Sequence, residues 1–113
     1  MLKVYINQQL TLFYNCGGEL GMNTGSAWFI YIIETKCGKL YTGITTDVDR
    51  RFEEHTAVYH RRGNKGAKFF RGHWPDKVVY SEACLSRSEA SKREYQIKTM
   101  SKRDKINLFK QAI

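Results

Sequence analysis

The chain reads as a small α/β domain of the α+β kind, a three-stranded antiparallel sheet flanked by helices in the order β-β-α-β-α-α. Two short aromatic and β-branched runs, Trp28 to Glu34 and Lys39 to Thr45, flank a Gly38 turn as a hairpin does. Two Ser/Thr-x-x-acid patterns, at Thr46/Asp49 and Ser86/Glu89, each open a stretch with helical apolar spacing. At 113 residues the chain is most simply one domain, large enough for a modest core without disulfides or a structural metal.

The elements follow in order. Residues 1–26 differ from the rest: a brief alternation at Leu2, Val4 and Ile6 gives way to Cys16-Gly17-Gly18-Glu19-Leu20-Gly21-Met22-Asn23-Thr24-Gly25-Ser26, whose four glycines read as a flexible extension. Gly17-Gly18-Glu19 requires a purine-rich coding run resembling a ribosome-binding site, a few codons before Met22. That places the expected start of translation at Met22 and leaves residues 1–21 without function; a mass spectrum of the natural protein showing the longer chain would overturn it. The domain itself is expected over 27–110.

After the hairpin, Val48, Phe52 and Tyr59 recur at helical spacing through about His60. A third strand is expected at Lys77 to Ala83, after the breaker Trp74-Pro75-Asp76. Ser86 opens a helix to about Met100, and a shorter one follows from Lys102 to Lys110. The chain shows no internal repeat and no coiled-coil heptad.

Charge narrows the partner. Nineteen Lys and Arg against eleven Asp and Glu leave +8, and residues 61 to 71 carry Arg61, Arg62, Lys65, Lys68 and Arg71 without an acid. Such a loop suits a polyanion, through steering and counterion release, better than a merely solvated basic surface. Its glycines and the pair Phe69-Phe70 add flexibility and rings that either stack on bases or pack inward.

Cys16, Cys37 and Cys84 are odd in number and widely spaced, without a zinc-site pattern, which fits a reducing cytoplasm. No apolar run is long enough to cross a bilayer, and the first residues lack a secretory signal, so a soluble, cytoplasmic protein is expected.

Chemistry gathers on few residues. Tyr31 and Tyr41 sit on neighbouring strands of an antiparallel hairpin and can reach the same region, although tyrosine is common in half-buried strands. Gly43 permits close approach of a ligand to backbone, or marks a bulge. Arg51 and His55, four apart, share a helix face beside the apolar stripe, where the ordinary reading is a surface arginine and a partly buried histidine. Glu94 falls in a stripe with Ala90 and Ile97 that otherwise faces the core, so its carboxylate needs a metal, a hydrogen-bond network or a salt bridge to a cation such as Arg51 or Lys98. His60 and His73 read as structural or solvated.

Together these residues resemble a GIY-YIG nuclease domain. Its two strand motifs stand here as Phe29-Ile30-Tyr31 and Tyr41-Thr42-Gly43, followed by a helix with Arg51 and His55 and a later helix with Glu94. The similarity covers roughly Ala27 to Phe109 and is greatest to the small stand-alone bacterial members. Two positions depart from the pattern: Phe29 stands where the first motif has glycine, and the asparagine some active members carry near the end has only Asn107 as a poor counterpart.

The resemblance implies an endonuclease in which Glu94 holds one Mg2+ or Mn2+. Tyr31 would be the general base, its own proton accepted through Tyr41, His55 or water, and Arg51 would offset charge on the phosphorane. Gly43, Lys65, Lys68 and Arg71 would line the nucleic acid. A domain without an appended reader selects shape, so branched, flapped or single-stranded DNA is the expected substrate, with repair or recombination inferred from relatives. The alternative is a DNA- or RNA-binding module of the same fold that cleaves weakly or not at all; a protein-interaction domain is the remaining reading.

Overall fold

The computed structural model describes residues 27–111; the extension and the proposed start at Met22 lie outside the described residues. Three strands, β1 (Trp28–Thr35), β2 (Leu40–Thr45) and β3 (Pro75–Cys84), and three helices, α1 (Val48–Tyr59), α2 (Arg87–Lys98) and α3 (Lys102–Gln111), follow in the expected β-β-α-β-α-α order. The sheet is antiparallel throughout with strand order β2-β1-β3.

β1 is the central strand, and its run of branched and aromatic residues is buried on both faces. Ile30 and Ile32 pack with Ala90 of α2, Ile97 of α2, and Leu108 and Phe109 of α3. Tyr31 and Ile33 point the other way, into a second core with Val58 and Phe52 of α1 and with Phe70. The sheet is thus a middle layer, and the period-2 alternation of β1 sends Tyr31 to the α1 side.

The hairpin turns where the sequence says it should. Gly38 takes φ 86, a left-handed conformation costly for a side chain. Thr35 closes the turn twice, its N–H donating to the Lys39 carbonyl and its hydroxyl accepting from the Lys39 N–H, each at 2.9 Å. Lys102 Nζ donates to the Gly38 carbonyl at 2.7 Å, tying α3 to this end of the sheet.

Some boundaries differ from expectation. The α1 cap is Asp47, not Thr46: its carboxylate accepts from the Arg50 N–H at 3.0 Å. Thr45 Oγ1 in turn accepts from the Asp47 N–H at 3.1 Å, which shifts the cap one residue on. α1 ends in a Schellman arrangement, Arg62 N–H to Ala57 O at 2.8 Å and Arg61 N–H to Val58 O at 3.1 Å, with Arg61 at φ 59 where glycine is usual. β3 begins at Pro75, two residues before the expected Lys77, because a proline without an N–H is tolerated at the start of an edge strand.

Ser86 caps α2 as expected, accepting from the Glu89 N–H at 3.1 Å, but α2 stops at Lys98 and Thr99 rather than Met100. Ser101 then caps α3 by accepting from the Asp104 N–H at 3.1 Å. The basic loop contains one turn of 3-10 helix, Lys68–Arg71. No helix among the described residues is long and apolar enough to cross a membrane.

Candidate active site

Tyr31 lies at the middle of the sheet, opposite Gly43 of β2 and Ser81 of β3. Its ring lies over Gly43, where a Cβ would stand 2.5 Å from Tyr31 Oη and 2.7 Å from Cζ. The space that the missing side chain opens is therefore filled by the phenol.

His55 reaches the same phenol from α1, Tyr31 Oη to His55 Nε2 at 2.8 Å. It is fully buried, 0 % exposed, deeper than the half-buried position expected from its helix face. The cover comes from outside α1: the Phe70 ring lies 4.4 Å from the imidazole and the Tyr41 ring 5.4 Å, by centroids. Phe69 and Phe70 pack inward on Tyr41.

The second ring nitrogen fixes the tautomer. The Ala67 N–H, which can only donate, bonds His55 Nδ1 at 3.0 Å. Nδ1 therefore carries a lone pair, and the single proton of the neutral ring sits on Nε2, whence it is donated to the Tyr31 oxygen. Burial, helped by the Arg51 charge and opposed by Glu54, lowers the His55 pKa to about 4, so the ring is neutral at pH 7.

In this tautomer His55 cannot take a proton from Tyr31. Of the three acceptors expected for the Tyr31 proton, Tyr41, His55 or water, this tautomer leaves Tyr41 and water. The phenol's own hydrogen is left to point elsewhere, towards Tyr41, water or a substrate.

Arg51 stands one turn before His55, its side chain 27 % exposed. Nη1 donates to Glu54 Oε1 and to the Lys65 carbonyl, both at 2.8 Å. The pair holds the Glu54 carboxyl below its ordinary range. The guanidinium also favours the Tyr31 phenolate, against burial and the Tyr41 charge, which together push the phenol well above the usual tyrosine range.

Glu94 stands at the rim of its stripe, not in the core. Ala90 and Ile97 are fully buried, whereas the Glu94 side chain keeps 23 % exposure and pairs with Lys98 at 3.2 Å. Of the partners weighed from sequence, Lys98 is the one it meets. Its negative charge is nonetheless felt at Tyr31, where it raises the pKa.

No group of three or more His, Cys, Asp or Glu that could hold a metal occurs among the described residues. One accessible carboxylate still fits a hard cation that keeps most of its waters and borrows oxygens from a phosphate, as Mg2+ does. Among the described residues no donor set suits a caged zinc. Asn107 is exposed on α3.

Lys65, Lys68 and Arg71 are all exposed, and the Lys65 charge reaches Glu54 beside Arg51. Three further residues hold the site together: Glu54, Gly66 and Ala67. Ala67 and Gly66 act through backbone and through the lack of a side chain, which leave no chemical signal in a sequence. Glu54 sits three residues after Arg51, a helical pair spacing that could have shown it.

This frame and grouping point to one class of protein, the nuclease-like GIY-YIG domains. Residues 27–107 match the GIY-YIG catalytic domain, and the chain belongs to that family. Within it, the chain is similar to the small bacterial UPF0213 proteins. It is 49% identical over 84 residues to one from Desulfotalea psychrophila, covering 74% of this chain and 72% of that one. It is 44% identical over 81 residues to UPF0213 protein YhbQ of Escherichia coli K12, covering 72% and 75%. A solution NMR structure of a UPF0213 protein from Bacillus halodurans shares 41% identity, covers 75% of this chain and 84% of that one, and superposes with a TM-score of 0.46.

Proposed function

We propose that this protein is a metal-dependent endonuclease that hydrolyses phosphodiester bonds, acting in the cytoplasm on DNA with branched or single-stranded features. The observation that carries the reading is the buried Tyr31–His55 hydrogen bond of 2.8 Å, with Arg51 on one side and the Glu94 charge within electrostatic reach. A mere core tyrosine needs no second charged neighbourhood of this kind.

Tyr31 takes the proton of the attacking water while its own proton leaves towards Tyr41 or solvent. A phenol held this far from ionisation works only in such a concerted transfer. His55 Nε2–H and Arg51 both favour negative charge as it builds on the phenol oxygen. Arg51, pre-set by Glu54 and the Lys65 carbonyl, faces the phosphate. Glu94 would hold Mg2+ or Mn2+, which supplies a Lewis acid for the phosphoryl and leaving oxygens. Lys65, Lys68 and Arg71 grip flanking phosphates.

The Lys98–Glu94 ion pair favours a second reading, a nucleic-acid-binding module of the same fold with weak or no cleavage, since a metal must compete with that ammonium. One experiment separates the two: cleavage of labelled single-stranded, duplex, flap and four-way-junction DNA with Mg2+ or Mn2+, wild type against Glu94→Ala. Metal-dependent cutting lost in the variant supports the enzyme. Salt-sensitive binding without cutting in either protein supports the module.

A further inference from the structure

We propose that Gly66 is a positioning residue of this site: it lets the basic loop settle on α1 so that the Lys65 carbonyl and the Ala67 N–H seat Arg51 and His55, coupling phosphate capture to the setting of both side chains. Its consequence for cleavage rests on the nuclease reading above. Its consequence for His55 does not.

The contact is closed to any side chain. A Cβ on Gly66 would stand 2.5 Å from the Glu54 carbonyl oxygen, 2.7 Å from His55 Cα and 2.8 Å from Val58 Cγ2. The first two are backbone atoms of α1 and cannot rotate away, so even alanine must lift the loop. Gly63, four residues into the same loop's beginning, differs: its Cβ would meet only the Ala57 methyl, at an ordinary 3.4 Å.

The residues on either side of Gly66 make the two bonds that matter. The Lys65 carbonyl accepts from Arg51 Nη1 at 2.8 Å, and the Ala67 N–H donates to His55 Nδ1 at 3.0 Å. Both run between the loop and α1, so a lifted loop weakens them together. Without the Ala67 donor, nothing holds the imidazole proton on Nε2. The other tautomer would accept from the Tyr31 hydroxyl and draw its hydrogen away from a substrate. Lys65 and Lys68 are exposed and flank Gly66 and Ala67 in sequence, so phosphates held by them bear on the backbone between them.

The test compares Gly66→Ala with Gly63→Ala. Imidazole nitrogen NMR reads the His55 tautomer and titration, and steady-state cleavage of the best DNA substrate reads kcat and KM. In Gly66→Ala the Nε2–H tautomer is expected to lose its dominance and the titration to move up from about 4. kcat is expected to fall roughly 10²-fold, with KM changed less than about threefold; Gly63→Ala should match wild type in every readout.

An unchanged tautomer and titration in a folded Gly66→Ala protein would overturn the proposal. Should that variant fail to fold, the wild type decides: a through-bond coupling between the Ala67 N–H and His55 Nδ1 supports it, and a protonated Nδ1 refutes it. Should the wild type cut no DNA, the nuclease reading fails while the tautomer measurement still judges Gly66.

Discussion

Tyr31 and Gly43 face each other across the β1–β2 ladder so closely that a Cβ on Gly43 would meet the Tyr31 phenol at 2.5 Å. The colliding group is the end of a ring packed beneath His55, not a flexible chain, so the ring must shift or the strands part. Gly43→Ala is therefore expected to cost about 1–3 kcal/mol of stability, as overpacking does. It should also break the 2.8 Å bond to His55. Urea unfolding with and without the substitution measures the first; a histidine titration that stays unchanged in the variant would count against the second.

Tyr31→Phe separates the ring from its oxygen. The ring still fills the space over Gly43, so the sheet should keep its register. The His55 Nε2–H loses its acceptor in a fully buried place, which costs on the order of 1–3 kcal/mol. If the phenol relays the proton of the attacking water, cleavage should drop by about 10² to 10⁴, with DNA affinity kept. A Tyr31→Phe protein that cuts at the wild-type rate would remove Tyr31 from the chemistry.

Folding stability should fall on mild acidification. His55 is neutral in the folded protein down to about pH 4, while in the unfolded chain it charges near its ordinary 6.5. Between those values the unfolded state binds the extra proton, so its stability gain grows as pH falls. The effect is nil well above 6.5 and is complete below about 4, on the order of 3 kcal/mol. The groups facing the ring are Tyr31 from β1, Tyr41 from β2, and Arg51 and Glu54 from α1, with Phe70 apolar. Urea midpoints at pH 7.5 and 4.5, in wild type and His55→Gln, measure it; an equal pH loss in both proteins would assign it elsewhere.

What was legible in the sequence is what depends on neighbours along the chain. Gly38 announces its turn, Ser86 announces its helix start, and the β1 run marks a strand because each signal is local. The same logic placed Arg51 and His55 on one face of α1. It missed how deep His55 lies, because the cover comes from Ala67 and Phe70, brought back by a loop. It put Glu94 in a core-facing stripe, with Lys98 as one of its possible partners, because helical spacing gives a face but not where that face ends; the stripe's rim depends on how α2 sits on the sheet. Gly66 was invisible for a similar reason, since a glycine's need for closeness is set by what it touches.

The loop cations give the remaining prediction, which tests binding without asking about cleavage. Lys65, Lys68 and Arg71 are exposed, and no side-chain ion pair or hydrogen bond is seen for their charged ends among the described residues. Each is thus available to a phosphate at little cost in broken contacts. A cation that neutralises one phosphate releases a counterion, so removing it should flatten the plot of log affinity against log salt by ~0.9 for duplex DNA and ~0.7 for a single strand. Lys68→Ala and Arg71→Ala together should flatten it by about 1.8 on duplex, measured by fluorescence anisotropy of a labelled oligonucleotide over a salt series. Among the described residues no hydrogen bond or ion pair joins either side chain to the Tyr31–His55 pair, so melting curves should stay where they were. A slope unmoved by the double substitution would put the nucleic acid on another face of the protein and detach the loop from the site it borders.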